Sequence, residues 1–193
     1  MRTAVLTLLA ALALVATPAG HTAVIPFHLE LSGDNEVPPN ASPGTGSADI
    51  ELDTVLRTLS LDVTFAGLLA PTTAAHIHCC TPPTGNAMVA TQVPSFVGFP
   101  LGVTSGTYSQ VFDMSLASFY NPAFITAHGG TVDSAFDFLV AGMLGGLSYL
   151  NIHSEQFPGG EIRATLIPIP EPASLALLGI ALASLAAIRR RKQ

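Results

Sequence analysis

The chain has 193 residues, a length that fits one domain with short additions, and its mean hydropathy of +0.51 is high for a soluble protein. Much of this apolar character lies in two runs without charged residues, residues 4–16 and residues 173–188. Residues 24–168 contain two basic and twelve acidic residues, hence a net charge of −10. Such a surface repels phosphate backbones, which argues against nucleic acid as a partner.

The N-terminal end has the layout of a secretory signal peptide. One basic residue, Arg2, precedes the apolar run 4–16, and small residues follow the run. The run is shorter than the about 20 residues that a membrane span needs, which favours a cleaved signal over an uncleaved anchor. We therefore predict a signal peptide over residues 1–23, cut by signal peptidase after Ala19 or Ala23.

The C-terminal end combines three features in order. A Pro-Glu-Pro triplet precedes the apolar run 173–188, and a basic cluster follows it. Sixteen helical residues rise about 24 Å, and flanking arginines extend such a span by snorkelling. The positive-inside rule leaves the basic cluster in the cytoplasm and the domain outside. We predict a sorting tail over residues 169–193 with a transmembrane helix at 173–188; a permanent anchor is the alternative. The motif residues are Pro170, Glu171, Pro172, Arg189, Arg190 and Arg191.

These three features, over residues 168–193, resemble the PEP-CTERM sorting tail. The resemblance implies that a membrane-embedded exosortase recognises the tail, removes it, and releases or attaches the protein at the surface. It also implies an exported protein of a Gram-negative envelope, anchored transiently in the inner membrane and bound for the outer surface or extracellular matrix. Producers of extracellular polysaccharide often carry such tails, so a polysaccharide or an envelope protein is the expected partner.

Between the two ends, apolar and polar residues alternate, which is typical of strands with one buried face. The alternating segments are 27–32, 48–53, 58–65, 150–153 and 161–166. Proline and glycine separate them, as expected of turns. Antiparallel sheets commonly have one solvent-exposed face and one buried face, as this alternation indicates.

One segment, residues 132–144, departs from the alternation. It follows a potential N-cap at Thr131 and ends at Gly145-Gly146, which indicates a helix. The residues expected to face the core are Phe136, Leu139, Val140 and Met143. The sequence therefore predicts an all-β domain over residues 24–168, an antiparallel β-sandwich or Greek-key barrel with one crossing helix.

Four motifs of this domain resemble the CHRD family, which was first described in chordin. They are Glu36-Val37-Pro38-Pro39, Ala75-His76-Ile77-His78, residues 149–154 (YLNIHS) and residues 157–163 (FPGGEIR). The resemblance covers about residues 27–167 and implies an all-β extracellular domain without implying a biochemical activity. A signalling role like that of chordin rests on the name alone, since the chain lacks chordin's cysteine-rich modules.

Three histidines of the domain are candidate metal ligands. His76 and His78 are two apart on a predicted strand, so both side chains project to one face, about 6.5–7 Å apart. Two imidazoles placed in this way converge on one copper or zinc ion, and His153 is the candidate third ligand. Asn151, Glu161 and Arg163 are candidate neighbours of the site. A structural interpretation, in which the histidines hydrogen-bond backbone groups, stays open.

The segment from Gly67 to His78 is also similar to the copper-binding strand of Cu,Zn superoxide dismutases, which raises redox activity as an alternative. The remaining ligands of those enzymes are not found at a comparable spacing. His128 lies in a segment without an assigned element, and His28 is expected to be exposed.

Cys79 and Cys80 are the two cysteines of the chain, and they are adjacent. Outside the cytoplasm such a pair is expected to be oxidised. A vicinal disulfide is therefore the favoured candidate, with thiolate ligation beside His78 and bonds to another chain as alternatives.

No pattern for covalent catalysis, phosphate binding or an H-E-x-x-H zinc site is present, which argues against an enzyme. The acidic stretch Asp34-Asn35-Glu36 lacks the spaced oxygen ligands of a calcium loop and is expected to be a solvated turn. Two functions follow from the sequence. The first is an exported surface or matrix protein with a CHRD binding module, and the second is a histidine-ligated metalloprotein.

Overall fold

The computed structural model describes residues 24–170, which form seven strands and two α-helices. The elements are β1 (Val24–Ser32), β2 (Thr45–Asp53), β3 (Thr58–Ala66), β4 (Thr72–Cys79), β5 (Gly106–Asp113), α1 (Pro122–Ala127), α2 (Val132–Leu144), β6 (Ser148–Ser154) and β7 (Ile162–Thr165). Short 3-10 turns occur at Gly33–Asn35 and Ala117–Phe119. The predicted signal peptide and the predicted transmembrane helix lie outside the described residues. Within residues 24–170, no helix is both long and apolar enough to cross a membrane.

All seven strands belong to one sheet, in the order β4-β6-β7-β1-β2-β3-β5, and each neighbouring pair is antiparallel. The segment before β5 reaches across to β4 at the opposite edge of the sheet. Thr72 N–H donates to the Val103 carbonyl at 2.8 Å, and Gly102 N–H donates to the Thr72 carbonyl at 2.8 Å. These bonds hold the two edges together, so the sheet curls around its core. The prediction of an antiparallel all-β domain is confirmed.

The apolar core lies on the inner face of the curled sheet. Alternate residues of β1, β2 and β3 are buried there, while the residues between them, such as Glu30, Asp49 and Asp62, are exposed. Burying a Leu, Ile or Phe side chain is worth about 1.5–3 kcal/mol, and each strand contributes several to a single continuous cluster. The alternation in the sequence therefore predicted the correct face of these three strands.

β6 departs from this pattern, because all seven of its residues are buried. One of its faces joins the apolar core through Leu150 and Ile152. The other face is covered by three loops, residues 33–44, 80–95 and 155–160, which hydrogen-bond to side chains projecting from β4, β6 and β7. The curled sheet thus has a second interior, and that interior is polar.

The helices agree with the sequence in part. α2 begins after the predicted N-cap Thr131, whose hydroxyl accepts from Ser134 N–H. Of the residues predicted to face the core, Val140 is only partly buried. The expectation of one helix was incomplete, because α1 also forms. Asn121 caps it and Pro122 occupies its first turn, a start signal that the sequence already contained.

Cys79 and Cys80, the two cysteines of the sequence, are joined to each other in a disulfide. Cys79 belongs to the apolar core, on the face of β4 opposite to His76 and His78. Both sulfur atoms pack against Gly142 of α2, where any side chain would collide with them. The pair therefore joins β4 to α2 through contacts on the apolar side of the sheet.

Candidate metal centre

Three histidines meet in the polar interior. His76 and His78 project from β4, and His153 projects from β6 to the same face of the sheet. The register sets His76 opposite Asn151 and His78 opposite Tyr149. One nitrogen of each histidine ring lies within 4.8 Å of the corresponding nitrogens of the other two. Each histidine is only 6–7 % exposed.

Each ring is fixed by one backbone carbonyl at its outer side. His76 Nε2 donates to the Pro94 carbonyl at 2.6 Å, His78 Nδ1 to the Ala87 carbonyl at 2.9 Å, and His153 Nδ1 to the Pro158 carbonyl at 2.9 Å. A carbonyl oxygen only accepts, so the nitrogen that faces it carries the proton. These bonds therefore fix the tautomer of all three rings.

The other nitrogen of each ring points inward. Burial lowers the pKa of His76, and it lowers the pKa of both His78 and His153 to about 4. The rings are therefore neutral near pH 7, and each inward nitrogen presents a lone pair.

The inward nitrogens have no satisfactory hydrogen-bond partners. His76 Nδ1 and His153 Nε2 face each other at 3.3 Å as two acceptors, and His78 Nε2 is buried without a partner among the described residues. Three buried lone pairs thus converge on one point, an arrangement that suits a cation.

Two further side chains, those of Tyr149 and Arg163, stack in sequence on the His78 ring. The Tyr149 ring lies parallel to the His78 ring, with 4.8 Å between centroids and 4° between planes. The guanidinium of Arg163 lies 4.5 Å from the centroid of the Tyr149 ring. Arg163 is itself 2 % exposed, so a fixed positive charge is buried two layers from the histidines.

Arg163 also organises two of the covering loops. It donates to the Asn35 carbonyl in one loop and to the Gly85 and Pro83 carbonyls in the other, and to the side-chain oxygen of Asn86. Charged hydrogen bonds of this kind are the stronger ones in proteins. The sequence placed Arg163 near the site but did not reveal that its partners are loop carbonyls.

Glu36 is buried beside this arginine, with 3.9 Å between Glu36 Oε2 and Arg163 Nε. Its Oε1 and the Oδ1 of Asn151 lack partners among residues 24–170, and both surround Gly160, which leaves no room for a side chain there. Burial raises the pKa of Glu36 to about 7, which outweighs the opposing effect of Arg163.

Glu36 is therefore expected to make folding pH-dependent. The pKa of Glu36 rises from 4.5 to about 7 on folding. Its protonation therefore contributes to the free energy of unfolding in full below pH 4.5, and this contribution is lost as the pH rises through 7. The free energy of unfolding of metal-free Glu36→Gln, relative to that of wild type, should increase by up to roughly 3 kcal/mol as the pH is raised from about 5 to about 8. Urea unfolding at both pH values measures this, with the exposed Glu51→Gln as control. A constant difference between wild type and Glu36→Gln would contradict the prediction.

The remaining predicted site residues lie in different surroundings. Asn151 lies between the histidines and Glu36, as a neighbour of the centre. Glu161 is fully buried, but its Oε1 accepts from the Ser42 hydroxyl and the Leu69 N–H, each at 2.6 Å. It is not among the residues that meet at the centre. His28 is exposed, as expected, and bonds Asp49 at 2.7 Å.

Two residues of the site were missed. The expectation that Asp34-Asn35-Glu36 forms a solvated turn is wrong for Glu36, which is 5 % exposed. Tyr149 was not among the predicted site residues, although its ring stacks on that of His78. Tyr149, Asn151 and His153 are spaced two residues apart on β6, so their side chains lie on one face of the strand. This spacing is the feature of the sequence that could have placed Tyr149 at the site.

Comparison with protein-family models matches residues 27–166 to the CHRD domain and residues 168–192 to the PEP-CTERM protein-sorting motif. The sorting motif is typical of exported proteins of Gram-negative bacteria and implies processing by an exosortase-type system. No curated protein and no solved structure matches the chain significantly. Because the first match spans well over half of its 193 residues, the chain belongs to the CHRD domain family.

Proposed function

We propose that this exported protein is a metal-binding protein of the cell surface, which holds a transition-metal ion with His76, His78 and His153. The convergence of three buried lone pairs is the observation that carries the proposal. Imidazole nitrogen is a preferred ligand of zinc and copper.

The distances support a shared ion. Two nitrogens that each lie about 2 Å from one ion are about 3.3–3.6 Å apart. The His76 and His153 nitrogens already have this separation, at 3.3 Å. His78 completes the set with a small movement, because all three nitrogens lie within 4.8 Å of one another.

The outer hydrogen bonds also support a metal centre. Metal-ligating histidines almost always donate their second ring N–H to a carbonyl, a carboxylate or water, which orients the ring. All three rings here donate to backbone carbonyls. A purely structural role leaves the inward nitrogens without donors, and a buried polar atom without a partner costs about 1–3 kcal/mol.

The location of this function follows from the two ends of the chain. In our proposal signal peptidase removes residues 1–23, and an exosortase-type protease removes the sorting tail, residues 169–193. The domain is then left at the outer surface or in the extracellular matrix. Its net charge of −10 suits a neutral polysaccharide or a cationic envelope protein as neighbour. Redox activity like that of Cu,Zn superoxide dismutase stays a prediction.

Elemental analysis tests metal binding directly. The full-length chain, produced in a Gram-negative host and purified from the envelope, should carry one equivalent of copper or zinc, or take it up after exposure to the salts. His153→Asn and His76→Gln should lose most of it, since each removes one of three ligands. Gln retains an amide that can donate to the Pro94 carbonyl, so this variant keeps the outer hydrogen bond.

The exposed His28→Ala is the matched control, and it should retain the full equivalent. Circular dichroism establishes that each variant is folded before its metal content is compared. Wild-type protein without stoichiometric metal, or folded His76→Gln with unchanged metal content, would contradict the proposal.

A further inference from the structure

The ligand set of the proposed centre carries no negative charge. Among residues 24–170, the group of side chains that meets there consists of three histidines, without a carboxylate or a thiolate. All three rings are neutral, because their outer nitrogens hold the single ring proton. Any ion at this point therefore keeps its full formal charge.

The surroundings add positive charge. Arg163 is buried behind Tyr149, and Tyr149 stacks on His78. Glu36, the acidic group beside Arg163, is 5 % exposed, and its burial favours the neutral acid. Glu161 is bonded to Ser42 and to the Leu69 N–H instead of to the centre.

Because the site is buried, the charge of its surroundings strongly affects whether a monovalent or a divalent ion binds. The solvation energy of an ion grows with the square of its charge, so a divalent ion loses about four times as much as a monovalent ion of similar size when it leaves water. The histidines are 6–7 % exposed, so solvent replaces little of this loss.

Resting on the proposed three-histidine centre, we infer that its resident ion is cuprous copper, Cu(I), bound in preference to zinc or another divalent ion. Among the metals that bind imidazole well, copper is the one with a stable monovalent state. The neutral ligands and the buried arginine both favour this ion.

Competition titrations test the inference. Metal-free full-length protein is titrated anaerobically with Cu(I) against bicinchoninate in ascorbate, and separately with Zn(II) against a chromophoric zinc chelator. Cu(I) should bind one to one, and at least about a hundredfold more tightly than zinc, as expected when charge dominates the choice. Zinc binding as tightly as Cu(I) would overturn the inference but leave the proposed centre intact. Binding of neither metal would overturn both.

A charge variant tests the physical reason. Asn151 lies opposite His76 in the sheet, so Asn151→Asp adds a carboxylate of nearly the same shape beside the centre. The preference for Cu(I) over zinc should fall about tenfold or more, because a negative charge attracts a divalent ion more strongly. Ser109→Asp, which adds the same charge on the exposed face of β5, should leave the preference unchanged. An unchanged preference in folded Asn151→Asp would contradict the electrostatic argument. If that variant does not fold, the wild-type titrations decide.

Discussion

Replacing Arg163 with methionine is expected to lower the free energy of unfolding by about 3–5 kcal/mol, a large part of the stability of a domain of this size. The guanidinium supplies donors to the carbonyls of Asn35, Gly85 and Pro83, all at the covered face of the sheet. Methionine fills much of the volume but leaves these acceptors without donors. Urea unfolding of metal-free protein measures the loss.

Arg57 is the matched control, because it is the other arginine within residues 24–170. It forms an ion pair with the exposed carboxylate of Asp133. Exposed pairs are worth about 0–1 kcal/mol, so Arg57→Met should change the stability little. If Arg163→Met costs no more than Arg57→Met, the hydrogen bonds of Arg163 to the loops do not stabilise the fold.

Metal is expected to stabilise the wild-type domain strongly. An ion that binds only the folded state at a thousand times its Kd adds about 4 kcal/mol to the free energy of unfolding. For a domain of this length that corresponds to a rise in Tm of about 10 °C. Its ligands lie on β4 and β6, and the carbonyls that hold their rings belong to two loops, so the ion ties four segments together.

Thermal unfolding with and without one of the two candidate metals, Cu(I) or zinc, measures this effect. His76→Gln should show little of the rise, and His28→Ala should show all of it, since His28 bonds only exposed carboxylates. The same rise in His76→Gln would mean that the metal binds elsewhere on the chain.

The sequence predicted most of the strands because their alternation is strict. β1, β2 and β3 each bury every second residue, so local order is enough to assign the face. β5 was missed, because this edge strand exposes Val111 and buries Tyr108 and Phe112, so its pattern is irregular. α1 was missed because six residues are too few for a helical period to emerge.

The candidate centre could be anticipated from residue types but not assembled from them. The spacing of His76 and His78 places both on one face of a strand, and His153 occupies the polar phase of its own strand. Whether the three meet depends on pairing between strands more than seventy positions apart. A slip of one residue in that register turns the His153 side chain to the opposite face.

Sequence by itself thus determined what local patterns encode, namely the antiparallel strands, the capped helix α2, the CHRD family and the PEP-CTERM tail. Tertiary structure decided the burial, hydrogen-bond partners and orientation of side chains that contact distant segments of the chain. It buried Glu36 and Arg163 under loops, bonded Glu161 away from the histidines, and turned three lone pairs toward one point. The physical reason is that burial and hydrogen-bond direction are set by the register of β4 on β6 and by the loops above them, and neither is a property of neighbouring residues.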